Sequence, residues 1–268
     1  MQFEEDGYLK FCLIDTSDEK GQVIRKDGKF FVYNPELINP ECSNNIVFVH
    51  GYNTDFFDAM ETMHKYYDNL MPLIKDQANF IGIYWPGDTK LNFSRAVIQA
   101  TEAASNFANV INYIISKTSA KDPKFSLIAH SLGNRYCAQA IIDLKVTHGI
   151  APIKNFIQLA PAIYANSYEK EFKEVPSLVQ KVMVYFSRND KVLIRCYDFW
   201  SQLIKRKGGD PYRALGFTGP YGDIPATVHA IDANTIAGNK VNHGTHLEDK
   251  KLIEHVAQAI NASAGCYI

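Results

Sequence analysis

Short apolar runs, too continuous for strands with one wet face, recur along this chain and set its architecture. Ile46-Val47-Phe48-Val49, Phe80-Ile81-Gly82-Ile83-Tyr84 and Phe125-Ser126-Leu127-Ile128-Ala129 are the first three, and the runs over 156–160 and 182–186 continue the series. Such runs mark strands covered on both faces, as in a parallel sheet. Stretches of helical period separate them. Phe56, Met60, Met63, Tyr67 and Leu70 form one stripe; Thr54 is placed to cap it, Asp55 and Asp58 complement its positive end, and Pro72 marks its finish. Phe93, Ala100, Phe107, Ile111 and Ile114 predict one long helix, Tyr136, Ala140 and Leu144 another, and Leu252, Val256 and Ile260 a closing helix over 247–262. Runs over 8–14 and 22–33, with the Asp27-Gly28 turn, predict an antiparallel amino-terminal edge, and 226–231 a last strand. The predicted class is therefore α/β: a mostly parallel central sheet with antiparallel amino-terminal edge strands and helices on both faces.

The 268 residues, 46% hydrophobic and 21% charged, predict one domain spanning 1–268. The pattern breaks between Asp190 and Ala226, so residues 191–225 predict a cap-like insertion. Within it Tyr197, Trp200 and Ile204 share a helical face beside Asp190, which makes them candidates for substrate binding. Lys and Arg total 28 against 29 acids, so no net field draws in nucleic acid. Five cysteines with no CxxC pair read as free thiols of a reducing compartment. The acidic amino end has no apolar signal core, and no eighteen apolar residues run together, which predicts a cytoplasmic location without an integral membrane segment.

The run 125–129 turns through Ala129-His130-Ser131-Leu132-Gly133 into a helix. Strand, small-x-Ser-x-Gly, helix is the context that lifts a serine oxygen above a sheet, and Ala129, in place of the usual glycine, is still small. Ser131 is the predicted nucleophile. Upstream, His50-Gly51-Tyr52 ends another buried run and can aim the Tyr52 N–H at the same point; with the Leu132 N–H it would form a two-donor oxyanion hole.

A serine hydroxyl needs an imidazole base, oriented in turn by a carboxylate, and in this arrangement the chain order is serine, acid, histidine. Asp190, just past the run 182–186, is the predicted acid. Among the eight histidines, His50 and His130 lie inside the motifs above, His64, His148 and His255 fall on helical stretches and are expected to face solvent, and His229 lies in the last strand. His243 and His246 remain, on the loop before the closing helix. His243, nearer the strand, is preferred as base, and His246 is the alternative or a capping and packing residue. The His243-Gly244-Thr245-His246 stretch lacks the helical His-Glu-x-x-His spacing of a metal site, and no nucleotide-binding glycine fingerprint occurs, so neither metal nor cofactor is expected.

His50-Gly51-Tyr52-Asn53, Tyr84-Trp85-Pro86, Ala129-His130-Ser131-Leu132-Gly133-Asn134-Arg135 and the Asp190 loop together resemble the DUF900 family of α/β-hydrolases, over roughly residues 45 to 260. The resemblance implies the α/β-hydrolase fold and a lipase- or esterase-like activity on a small-molecule ester or lipid-like substrate. Where that family often has an acid after Pro161, this chain has Ala162, which leaves Asp190 without that competitor. A thioesterase, amidase or acyltransferase would use the same residues, and a non-catalytic binding protein could use the same scaffold.

Overall fold

The computed structural model describes residues 9–17, 30–87, 92–148, 153–195, 213–238 and 240–262. Its centre is an eight-stranded sheet in the order β2-β1-β4-β3-β5-β6-β7-β8. The strands are β1 (Cys12–Asp15), β2 (Phe31–Tyr33), β3 (Asn44–Val49), β4 (Ala78–Tyr84), β5 (Lys124–His130), β6 (Ile153–Leu159), β7 (Lys181–Phe186) and β8 (Val228–Asp232). Every neighbouring pair is parallel except β1 with β2. The antiparallel edge is thus one strand wide, because β1 itself runs parallel to β4.

The apolar runs lie where their composition requires. Ile46, Val47, Phe48 and Val49 are all fully buried, with alternate residues feeding two separate core clusters. One face is covered by α2 (Phe93–Ala104), α3 (Phe107–Lys117) and α4 (Gly133–His148), and the other by α1 (Phe56–Leu70) and the last helix, Lys250–Asn261. A sheet buried on both faces has no side from which to admit substrate. Its ligand crevice lies beyond the carboxyl ends of the strands, where strand order reverses. Here the reversal falls between β3 and β5, which pair directly although β4 separates them in sequence.

Local signals account for most boundaries. The Asp55 carboxylate, rather than the expected Thr54, caps α1 by accepting from the Asp58 N–H at 2.9 Å, while Thr54 Oγ1 donates back to the Tyr52 carbonyl. Such a cap contributes about 1 kcal/mol. The predicted long helix over 93–114 is two helices, broken at Ser105-Asn106; the apolar stripe passes through the break because Ala103, Ala104 and Phe107 are all buried. The closing helix likewise divides into Thr245–Glu248 and Lys250–Asn261, with Asp249 capping the second through the Leu252 N–H.

Candidate active site

The carboxyl ends of β3, β5, β7 and β8 carry the segments of interest. At the end of β5 Ser131 adopts φ 52°, the left-handed region in which an L-residue is strained. Three kinds of contact hold it there. The Ser131 N–H donates to the Leu159 carbonyl at 3.0 Å, and the Ser131 carbonyl accepts from the Ala162 N–H at 3.0 Å. The amide of Asn134, fully buried in the first turn of α4, donates to the carbonyls of Ala129 and Ser131, both at 3.0 Å.

The glycine of the turn is set by a neighbouring strand. A Cβ at Gly133 would lie 2.4 Å from the His50 carbonyl oxygen and 2.9 Å from that of Val49, so α4 starts in contact with the end of β3. Gly51 meets the same limit from the other side, since a Cβ there would be 2.9 Å from Ser131 Cβ. The two glycines let the β3 turn and the serine turn touch.

His50 orients that β3 turn. The Trp85 N–H donates to its Nε2 at 3.1 Å, which places the imidazole proton on Nδ1, and Nδ1–H donates to the Gly51 carbonyl at 2.8 Å. Trp85 Nε1–H donates back to the His50 carbonyl at 2.9 Å. In a planar trans peptide the C=O and the following N–H point in opposite directions, so anchoring the Gly51 carbonyl fixes the direction of the Tyr52 N–H. Among the described residues no acceptor bonds the Tyr52 N–H or the Leu132 N–H.

On the far side of the sheet switch, Asp190 is fully buried. Its Oδ1 accepts from the Leu193 N–H at 2.9 Å and its Oδ2 meets His243 Nδ1 at 2.7 Å. The structure thus brings Asp190 and His243 together, and with the proton on Nδ1 the Nε2 of the neutral ring is left unprotonated. Ser187 ties the two loops together: its Oγ–H donates to the Val241 carbonyl at 2.6 Å and accepts from the Asn189 N–H at 3.1 Å. The rings of His130 and His243 lie 4.7 Å apart between centroids, which brings the His243 loop beside the serine turn. No hydrogen bond joins the Ser131 hydroxyl to His243 among the described residues.

Residues 32–258 match the family described as "Alpha/beta hydrolase of unknown function (DUF900)". The chain belongs to this family. Comparison with curated proteins gives no match. Among solved structures, an esterase of Pyrobaculum calidifontis is 14% identical, with 83% of this chain and 77% of that one covered and a TM-score of 0.48. One from a structural analysis of two fungal esterases of Rhizomucor miehei is 12% identical, with 89% and 81% covered and a TM-score of 0.48. EstE1, a thermostable carboxylesterase cloned from a metagenomic library, is 12% identical, with 90% and 88% covered and a TM-score of 0.47.

In this α/β-hydrolase the other histidines take distinct places. His246 is buried in the short helix Thr245–Glu248, its Nδ1 on the Asn242 carbonyl at 3.0 Å and its Nε2 without a partner among the described residues. Burial pushes it down to about 4. It is packed in the interior at 1% exposure. His255 departs from expectation: it is half-buried and shares a 2.7 Å hydrogen bond with the Tyr185 hydroxyl. Asn134 and the roles of His50 and His130 went unread in the sequence, although all three stand within the quoted motifs. Tyr197, Trp200 and Ile204 lie outside the described residues, as do residues 196–212 of the predicted 191–225 insertion. Within the described part of that segment, Ala214 forms an isolated antiparallel bridge with Tyr164. No group of three or more metal-binding side chains occurs among the described residues, and no helix there is long and apolar enough to cross a membrane.

Proposed function

We propose that this α/β-hydrolase is a serine esterase that transfers the acyl group of a carboxylic ester to Ser131 and then to water. The observation that carries the proposal is the 2.7 Å bond between buried Asp190 and His243, on a loop beside a left-handed serine turn. His243 Nε2 takes the hydroxyl proton as Ser131 Oγ attacks the ester carbonyl, and Asp190 holds the ring and stabilises the imidazolium that forms. The Tyr52 and Leu132 N–H groups bind the oxyanion of the tetrahedral intermediate. Collapse breaks the acyl–oxygen bond, and the imidazolium returns its proton to the leaving alcohol. A water, deprotonated by His243, then attacks the acyl-enzyme, and as the acyl–Oγ bond breaks His243 returns that proton to Ser131 Oγ and the carboxylic acid is released. The sequence balances with ester and water alone.

One observation favours the non-catalytic scaffold: the Ser131 hydroxyl makes no hydrogen bond to His243. Serine–histidine bonds are often long until substrate is in place, so this does not outweigh the Asp190–His243 pair. The test is hydrolysis of matched p-nitrophenyl ester, thioester and anilide substrates by the wild type and Ser131→Ala. The proposal requires ester turnover in the wild type and its loss in the variant. Faster thioester or anilide turnover would keep the machinery and replace the substrate class.

A further inference from the structure

We propose that His130 is the positioning residue that locks the base loop onto the serine turn, by donating its Nε2–H to the His243 carbonyl. The proposal rests on the assignment of Ser131 as nucleophile and His243 as base. The bond is 3.0 Å long and 9% of His130 is exposed, so water cannot readily replace it.

The case lies in where the base loop is otherwise attached. The Val241 carbonyl is held by Ser187, the His243 ring by Asp190 and the Asn242 carbonyl by His246. Those bonds fix the loop to the acid side or to itself. Among the described residues the His130 bond alone joins it to the serine turn. A base held only from the acid side is oriented in its ring yet free to drift from the nucleophile, and reaction rates fall steeply with displacements of about 1 Å. His130 is also next to Ser131 in the chain, so any movement of the serine turn carries the donor with it.

The ring is packed as well as bonded. A Cβ at Gly51 would lie 3.1 Å from His130 Nδ1, so the ring sits close to the β3 turn, and the His243 ring packs against it at an interplanar angle of 50°. One side chain thus touches the serine, oxyanion and base segments. Burial holds it neutral, well below the usual histidine range, and His243, His246 and His50 all oppose a charge on it. It therefore stays a neutral donor when His243 becomes an imidazolium.

The test compares His130→Gln with His130→Met. A glutamine Nε2 is as many bonds from Cα as the histidine Nε2 and can donate to the same carbonyl, whereas methionine fills space without a donor. We expect His130→Met to lower kcat by about tenfold or more with KM within about twofold, and His130→Gln to restore kcat to within about threefold of wild type. The far-downfield proton NMR signal of the His243–Asp190 bond should weaken or vanish in the methionine variant and persist in the glutamine variant. Equal losses in both variants, or wild-type kcat in His130→Met, would overturn the proposal. Should His130→Met fail to fold, His130→Gln decides: kcat within threefold sustains it and any larger loss overturns it. Ser131→Ala in the same assay keeps the two ideas apart, because turnover surviving there sinks the catalytic assignment itself.

Discussion

Acidification should unfold this protein well before its carboxylates are all protonated. His50 and His246 are 2% and 1% exposed, and their hydrogen bonds leave no acceptor for a second proton. In His50 the Nε2 lone pair already faces the Trp85 N–H, so protonation there would set two donors against each other. Burial pushes His50 and His246 down to about 4 and His130 well below the ordinary value of 6.5. The native pKa is depressed, so stability is complete above pH 6.5, where neither state binds the proton. It is lost as pH falls, because the unfolded chain protonates first, and for His50 and His246 the loss is finished near pH 4. A gap of about 2.5 units is worth about 3 kcal/mol for each of these two residues. At pH 5 unfolding should take up nearly one proton at each of His50 and His246, a slope of roughly 2.4 kcal/mol per pH unit, and His130 adds to it in the same direction. Domains of this kind have only about 5–15 kcal/mol in total, so cooperative unfolding is expected between about pH 5 and 4. The assay is urea unfolding followed by circular dichroism from pH 8 to 4.5, with proton uptake measured by calorimetry in two buffers. His246→Asn, whose amide can still donate to the Asn242 carbonyl, should reduce the uptake by about one proton. Stability flat to within about 1 kcal/mol between pH 7 and 5, or unchanged uptake in that variant, would refute the reasoning.

Asp190→Asn and His243→Ala should each lower kcat by about 10³-fold or more, and the double variant should be little worse than either, because the members of a triad act as a unit. His246→Asn should cost far less in turnover; the reverse ranking of the two histidine variants, in the same steady-state assay, would move the base to His246. Gly133→Ala forces a methyl within 2.4 Å of the His50 carbonyl and 2.9 Å of the Val49 carbonyl, both backbone, so it should cost about 3 kcal/mol in urea unfolding and displace the β3 turn. A Gly133→Ala protein with wild-type stability and kcat/KM would show that this contact is not tight.

The strands of the sheet centre were legible because burial on both faces leaves a continuous apolar run in the sequence, and β3 and β5 show it clearly. The serine turn was legible because its small residues answer to backbone contacts that admit little else at Gly133. The break between α2 and α3 was not, since hydrophobic period reports which face is buried and not whether the backbone is continuous. The solvent-facing expectation for His255 failed for a related reason: period places it correctly on the closing helix but does not show its partner Tyr185, from a strand 70 residues away in the chain. His50 and His130 were assigned to their motifs but not to their bonds. Each bond joins segments that only the sheet order brings together, His50 to Trp85 across β3 and β4, and His130 to a loop beyond β8.

The central claim, that Ser131 is an activated nucleophile, is tested most directly by labelling the folded protein with a fluorophosphonate and locating the modified residue by mass spectrometry. The account predicts a single adduct on Ser131, absent from Ser131→Ala and formed far more slowly in His243→Ala. An adduct on another residue, undiminished labelling of Ser131→Ala, or a folded wild type that resists the probe altogether would contradict it.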